Sequence, residues 1–187
     1  MYHISDDKRS KESSAWIYNA LEHLMEEKDY SSITVTDICK EAKIGRVTFY
    51  RHYDTIDDVL RKKCDEKCKG LFDYLLEFRK YDPQPPYFIK PFLRYWYTNA
   101  FILKLVFRAG KFQIMQDALM EFLKSARDRF DVTPAAAYEN YFLELRSSVC
   151  VAVLLEWVKD DMNMAPDELT HMIEAGMKQM SELNQLL

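Results

Sequence analysis

The sequence predicts an all-α protein, on the grounds of its composition and its hydrophobic pattern. The 187 residues include only four glycines and six prolines, so few positions interrupt a helix. Hydrophobic residues make up 48% of the chain, which is enough for a substantial core. Because apolar residues recur at the three- and four-residue spacing of a helical face, we expect about nine helices.

The first two helices are predicted from an apolar stripe and from a capping motif. The first is expected from Ser10 to about Lys28, since one face repeats at helical spacing through Ile17, Ala20, Leu21, Leu24 and Met25. The segment Thr34-Val35-Thr36-Asp37 has the form of a capping box, in which the hydroxyl and the carboxylate satisfy free backbone N–H groups. A short second helix therefore begins there.

A third helix follows after a tight turn. The turn is Lys43-Ile44-Gly45, whose glycine serves as an N-cap or adopts unusual dihedral angles. The helix is expected from Arg46 to about His52, with Phe49 and Tyr53 as its anchors in the core. Two short helices joined by a tight turn form a helix-turn-helix, which places its second helix in the DNA major groove.

A long fourth helix is expected from Asp57 to Arg79. A second capping box, Thr55-Ile56-Asp57-Asp58, opens it, and a segment with three prolines from residue 83 to residue 86 ends it. This proline segment is the best domain boundary. We therefore predict a DNA-binding domain over residues 1–54, a linking helix over 55–80 and a C-terminal helical bundle over 81–187.

The C-terminal helices are predicted from apolar periodicity and from their start and stop signals. Gly110 is expected to end a helix, and Thr133-Pro134 combines an N-cap with a proline in the first turn. The expected helices are Phe88–Asn99, Ala100–Ala109, Lys111–Phe130, one from Thr133-Pro134 to about Asp161, and one that begins at Ala165-Pro166.

Charge is concentrated locally rather than over the whole chain. The net charge is −4, which does not indicate a general polyanion-binding protein. Between Lys40 and Tyr53, however, four basic residues (Lys40, Lys43, Arg46 and Arg51) face one acid, Glu41, for a local balance of +3. Such a patch is sufficient for phosphate contacts if one face of the protein presents it.

Several classes of protein are disfavoured. We find no signal-peptide pattern and no apolar run of about 20 residues, so we expect a cytoplasmic protein without membrane contact. The sequence has no phosphate loop, nucleophile elbow or HExxH motif, so we expect no enzyme and no cofactor. Cys64 and Cys68 lie one turn apart, and we interpret them as core residues; a metal or redox site is the weaker alternative.

The segment TVTDICKEAKIGRVTFYRHYDTIDDVL, residues 34–60, resembles the DNA-binding module of the TetR/AcrR family of bacterial transcription regulators. Thr34, Val35, Ile38, Ala42, Thr48 and Tyr50 match the family pattern. The resemblance implies an all-α homodimer that binds a palindromic double-stranded operator, more often as a repressor, and that responds to a small-molecule effector.

The resemblance also implies roles for individual residues. Phosphate contacts are expected from Thr36, Tyr50 and His52, and base contacts from Arg46, Val47, Thr48 and Arg51; Lys43 adds charge beside them. Three positions depart from the family pattern: Gly45 replaces a capping serine, Val47 a small glycine, and Ile56 a phosphate-contacting lysine. These departures keep open a second hypothesis, a helical co-regulator with a degenerate helix-turn-helix that acts through a protein partner.

For the C-terminal half, the resemblance implies an effector pocket and a dimer interface. We expect the pocket among large apolar side chains, namely Tyr95, Trp96, Phe107, Phe112, Met115, Phe122 and Trp157. The same residues equally suit a plain hydrophobic core. We expect the dimer interface on the last two helices, with Val149, Val153, Met172, Gly176 and Met180 as its candidate residues.

Overall fold

The computed structural model of the chain is built from α-helices. It describes residues 1–81, 88–130 and 138–184, and the side chains of all of these except 127–130 and 180–184. The helices of these ranges are α1 (Lys8–Glu27), α2 (Val35–Glu41), α3 (Arg46–His52), α4 (Ile56–Tyr81), α5 (Ile89–Thr98), α6 (Ala100–Arg108), α7 (Phe112–Phe130), α8 (Glu139–Lys159) and α9 (Pro166–Asn184). The predicted all-α class is confirmed.

Helix boundaries lie close to those predicted. Helix α1 begins two residues earlier than expected, at Lys8, because the carboxylate of Asp7 accepts a hydrogen bond from the Ser10 N–H at 2.9 Å and so caps the helix. Helix α3 has the predicted bounds. The proline segment and the Thr133-Pro134 cap lie outside the described residues.

The first four helices share one hydrophobic core. Each of these helices, and the residue after α3, contributes fully buried side chains to it. These include Ile17, Leu21, Ile38, Phe49, Tyr53, Val59 and Leu60. The hydroxyls of Ser14 and Tyr53 lie 2.5 Å apart and add a buried hydrogen bond between α1 and the end of α3. The orientation of α3 is therefore set by its buried side.

An N-terminal strap, residues 2–5, runs across the end of α3. Tyr2 forms an antiparallel bridge with Tyr53, and the His3 N–H donates to the His52 carbonyl oxygen at 2.8 Å. The Tyr2 hydroxyl donates to a carboxylate oxygen of Asp65 on α4 at 2.9 Å. The strap therefore joins α3 to α4, a connection that we did not predict from the sequence.

The C-terminal bundle packs along α4. Helices α5 and α7 lie against α4, α8 lies against α6 and α7, and α9 lies against α5. Arg94 on α5 donates to both carboxylate oxygens of Asp167 on α9, at 2.9 and 2.7 Å. Over the described ranges, no helix has both the length and the apolar character needed to cross a bilayer.

Two polar contacts join the N-terminal helices to the corner between α6 and α7. The Arg108 guanidinium donates to the Met25 carbonyl oxygen at 2.5 Å, and the Lys111 ammonium donates to Asp57 at 2.8 Å. Asp57 also accepts a hydrogen bond from the Tyr30 hydroxyl at 2.5 Å. The corner between α6 and α7 is therefore bonded to the end of α1 and to the start of α4.

Candidate DNA-binding surface

Helix α2 begins with the predicted capping box. The Thr34 N–H donates to the Asp37 carboxylate at 2.8 Å, and the Asp37 N–H donates back to the Thr34 hydroxyl at 3.2 Å. Hydrogen bonds from Thr34, and then from Lys28, lower the pKa of Asp37 to about 2. Thr36 is exposed in the first turn of this fixed helix end, where free N–H groups favour an anion.

In the turn between α2 and α3, Lys43 rather than Gly45 has the strained backbone conformation. Lys43 has φ 54, in the left-handed region that favours glycine, whereas Gly45 has φ −78 and ψ 152 as the N-cap of α3. Gly45 makes no side-chain capping bond, and a Cβ added to it would meet no atom within 4 Å. The turn therefore has room for the serine that the family pattern places at Gly45.

Helix α3 divides into a buried and an exposed side. Phe49 is fully buried, and it contacts the rings of Tyr50 and Tyr53 at 5.5 and 5.9 Å between centroids. The exposed residues recur at helical spacing and form one face, which consists of Arg46, Val47, Tyr50 and Arg51. Thr48 is half-buried at the margin of this face. We call this face, with Thr36, Lys40 and Lys43, the recognition surface.

The cations of the recognition surface are available for a partner. Within the described residues, Lys40, Lys43, Arg46 and Arg51 lie in no ion pair with a carboxylate. The one acid of this segment, Glu41, is instead paired with the His23 ring at 2.9 Å. Some other exposed cations of helices α1 and α4 do have carboxylate partners, for example Lys11 with Asp6 at 3.1 Å and Lys80 with Glu77 at 2.6 Å. The recognition surface therefore presents unpaired positive charge.

His52 is buried, so the expectation that it points outward to a phosphate is wrong. Its side chain is almost fully buried, and its Nδ1 lies 3.4 Å from the hydroxyl of Ser10 on α1. Burial, together with the nearby Arg51 charge, lowers the pKa of His52. The position faces α1 because it lies three residues after Phe49, on the same side of the helix.

Comparison with known proteins identifies the family. Residues 17–62 match the family model described as bacterial regulatory proteins, tetR family. Residues 83–179 match the model described as a transcriptional regulator C-terminal region. The chain belongs to the TetR family of transcriptional regulators.

Relatives of this TetR-family protein support the same fold. The solved structure of Lin0861 from Listeria innocua is 19% identical, with a TM-score of 0.80 over 95% of this chain and 96% of that one. A structure from Syntrophomonas wolfei str. Goettingen, described as a TetR-family transcriptional regulator, is 18% identical, with a TM-score of 0.63 over 91% and 95% of the two chains. The helix-turn-helix-type transcriptional regulator YxbF of Bacillus subtilis (strain 168) is 36% identical over 55 residues, which are 29% of this chain and 14% of YxbF.

The TetR-family departure at Ile56 has a structural reason. Ile56 is half-buried and packs against the core of the N-terminal helices, while Thr55 caps α4 through the Asp58 N–H at 3.3 Å. A side chain at this position therefore contributes to packing. Val47, in contrast, is 75% exposed at the centre of the recognition surface.

Of the seven residues predicted for an effector pocket, one lines a cleft in the part of the chain that the structure describes. A cleft of about 460 Å³ lies between α4 and α7, and Phe122 lines it, whereas the other six do not. Trp96 and Met115 are fully buried, Phe112 is 40% exposed, and Trp157 stacks on Tyr97 at 5.7 Å. The indole N–H of Trp96 has no acceptor among the described residues. Sequence reasoning missed the cleft because its lining comes from Tyr2, α4 and α7, which are far apart in the sequence.

The candidate dimer residues lie on an exposed apolar side of α8 and on α9. Helix α8 is apolar on two sides: Leu143, Val151 and Leu154 are buried, whereas Tyr141, Leu145 and Val149 are 79%, 64% and 53% exposed. Val153 is half-buried, Met172 is 53% exposed, and a Cβ added to Gly176 would meet no atom within 4 Å. The Met180 side chain lies outside the described set. We call the exposed residues Tyr141, Leu145 and Val149 the α8 stripe.

The four cysteines occupy core positions. Cys39, Cys64 and Cys68 are buried and Cys150 is half-buried, and all four are free thiols. Burial raises the pKa of Cys64 to about 12 and raises that of Cys68 well above its usual value. Among the described residues there is no group of three His, Cys, Asp or Glu side chains suited to a metal ion.

Proposed function

We propose that the protein is a homodimeric, ligand-responsive repressor that binds a palindromic DNA operator through α3. The observation that carries this proposal is the set of four cations on the recognition surface that lack carboxylate partners in the described chain. Because neutralising phosphates releases counterions, unpaired cations on one face favour DNA over a neutral partner. Because one recognition surface carries only these four cations, we expect firm DNA binding to need two copies of the surface.

The residues of the recognition surface and Thr48 divide into two proposed roles. Arg46, Val47, Thr48 and Arg51 lie closest to the base edges, where arginine donates to guanine and valine contacts thymine. Thr36, Lys43 and Tyr50 contact phosphates on either side and position the helix. His52 acts from behind α3, by holding its end against α1 rather than by touching DNA.

Dimerisation through α8 and α9 is supported by the α8 stripe. Soluble monomers rarely expose a contiguous apolar surface of this kind, and a helix with two apolar sides needs a partner on each. In the proposed dimer, a twofold axis places the two α3 helices about 34 Å apart, one turn of B-DNA. A palindromic operator follows from this symmetry.

The ligand response uses the contacts between the C-terminal bundle and the N-terminal helices. Helix α4 is continuous through both parts, and Lys111 and Arg108 hold the α6–α7 corner against Asp57 and Met25. A small molecule that shifts α7 therefore shifts the start of α4 and changes the spacing of the two α3 helices. Loss of operator binding is the proposed result, since a repressor is the more common role in the family.

A footprint on the DNA upstream of the protein's own gene tests the DNA-binding proposal. We expect protection of a palindrome at about 50 mM salt and its loss when one half-site is scrambled. The matched control is a fragment with both half-sites scrambled. No protection at low salt would contradict the proposal and would support the co-regulator that acts through a protein partner.

A further inference from the structure

We propose that the cleft between α4 and α7 binds a small organic cation with an apolar body, and that its occupancy reaches α3 through Tyr2 of the N-terminal strap. This inference deepens the proposed ligand response. The connection from the cleft to α3 regulates DNA binding only if the proposed function is right, whereas binding of the cation does not depend on that function.

The cleft has an apolar wall suited to an aromatic or alkyl group. Phe72 of α4 and Phe122 of α7 meet edge to face in this wall, with ring centroids 6.3 Å apart. Ala118 and the buried thiol of Cys68 complete it. A volume of about 460 Å³ accommodates a ring with a short side chain. The two phenylalanine rings also favour a cation near their faces.

The polar wall of the cleft carries negative charge. Three carboxylates, Asp65, Asp73 and Glu121, and one ammonium, that of Lys69, line this wall. Glu121 is also paired with Lys124 at 2.7 Å. Asp65 is the least exposed of the three carboxylates, and burial raises its pKa. A half-buried carboxylate beside an aromatic wall selects an ammonium group over a carboxylate or a neutral hydroxyl.

Tyr2 connects this carboxylate to α3. Its hydroxyl donates to Asp65 at 2.9 Å, and its backbone bridges Tyr53, directly after α3. The next residue, His3, donates its N–H to the His52 carbonyl oxygen at 2.8 Å. An ammonium that binds the Asp65 Oδ2 oxygen competes with the Tyr2 hydroxyl for this acceptor. The strap then loses its side-chain contact with α4, and its backbone contacts with Tyr53 and His52 still hold it across the end of α3.

Calorimetry with three probes of matched shape tests the binding step on the full chain. The probes are 2-phenylethylamine, which is a cation at pH 7, the neutral 2-phenylethanol and the anionic 3-phenylpropionate. We expect the amine to bind at least tenfold more tightly than either of the others. Equal binding of the alcohol or the acid, or no binding of the amine, would overturn the cation site.

Two variants and a control locate the site. Asp65→Asn keeps the shape but removes the charge, and we expect at least tenfold weaker amine binding. Tyr2→Phe removes the competing hydroxyl, and we expect binding several-fold tighter than in the unchanged chain. The control Asp160→Asn makes the same change at a remote exposed position and is expected to have no effect. Unchanged binding in Asp65→Asn, with a normal thermal unfolding curve, would refute the assignment.

Hydrogen exchange without DNA tests the connection to α3. Saturating 2-phenylethylamine is expected to speed exchange of the His3 amide, whereas in Tyr2→Phe this amide is expected to exchange fast without the probe. If the amine binds and exchange in the strap is unchanged, the role of Tyr2 is wrong. Since neither measurement uses an operator, a failed footprint leaves the cation site standing, and a failed calorimetry experiment leaves the DNA-binding proposal standing.

Discussion

The recognition surface and the α8 stripe are both exposed, yet their chemistry is opposite. On α3, the exposed side chains are mostly charged or hydroxyl-bearing, and their cations lack carboxylate partners within the described residues. On the α8 stripe, the side chains are large and mostly apolar, with Tyr141 at 79% and Leu145 at 64% exposure. Exposure alone therefore does not reveal the kind of partner that a surface binds.

The difference follows from what each partner offers. DNA offers phosphates and polar base edges, so a surface that binds it gains from cations and hydrogen-bond donors. A second copy of the same chain offers the same apolar stripe, so two copies gain by removing both stripes from water. The two surfaces are expected to respond differently to substitution, salt and pH.

The largest expected effect is on the α8 stripe. The double change Leu145→Asp and Val149→Asp places charge in the proposed dimer interface, and we expect association at least about 100-fold weaker. Sedimentation velocity at micromolar concentration checks this, and the monomer is expected to stay folded because both positions are exposed. The control Asn140→Asp adds a charge on another side of α8 and is expected to leave the dimer intact. An unchanged chain that sediments as a monomer would refute the interface.

The next effect is on the recognition surface. We expect Arg46→Ala and Arg51→Ala each to weaken operator binding by about 1–3 kcal/mol, because each removes a base contact. Lys43→Ala is expected to reduce the slope of log affinity against log salt by about one unit, with equal losses on all sequences. Fluorescence anisotropy over a salt series measures both quantities. Lys80→Ala, which removes an exposed cation at the end of α4, is the control and is expected to change neither.

A smaller effect is expected from pH, through His52. Burial lowers the pKa of His52 below its ordinary 6.5, so the unfolded chain takes up a proton more readily than the folded one. The contribution of neutral His52 to the free energy of unfolding is therefore complete above pH 6.5. It is lost as the pH falls through 6.5 toward the pKa of His52 in the folded chain. Urea unfolding of the unchanged chain and of His52→Gln, compared from pH 7.5 to 5.5, isolates this contribution. A parallel pH dependence in the two proteins would show that His52 does not titrate in this way.

The smallest effect is expected at Gly45. In Gly45→Ser the new hydroxyl accepts a free backbone N–H in the first turn of α3, and the cap raises the free energy of unfolding by a few tenths of a kcal/mol. The open space around Gly45 admits the side chain. We expect slightly tighter operator binding, since the hydroxyl also reaches a phosphate. Gly45→Ala is the matched control and, because it lacks the hydroxyl, is expected to lower stability; a gain as large as that of serine would show that capping is not the cause.

Local signals account for what was predicted well. The capping box at Thr34 and Asp37, the turn before Arg46 and the bounds of α3 depend on residues close together in sequence. Their hydrogen bonds form within a few residues, so the pattern of residue types is sufficient to locate them. The exposed face of α3 follows in the same way, because Phe49 fixes which side is inward.

Tertiary packing decided the rest. His52 has a polar side chain at a helix end; its spacing from Phe49 places it on the inward side, and the approach of α1 with Ser10 buries it. Helix α8 is apolar on two sides, so its sequence does not show which side faces the bundle. The strap contact between Tyr2 and Asp65, 63 residues apart, and the cleft behind it also required the fold.

The sequence by itself determined the helical class, the helix-turn-helix and the charge of its surface, because period, caps and local charge are properties of neighbouring residues. The tertiary structure alone decided which candidate side chains share a site. Proximity between α1, α4 and α7 depends on how helices pack, and many residue types satisfy that packing equally well.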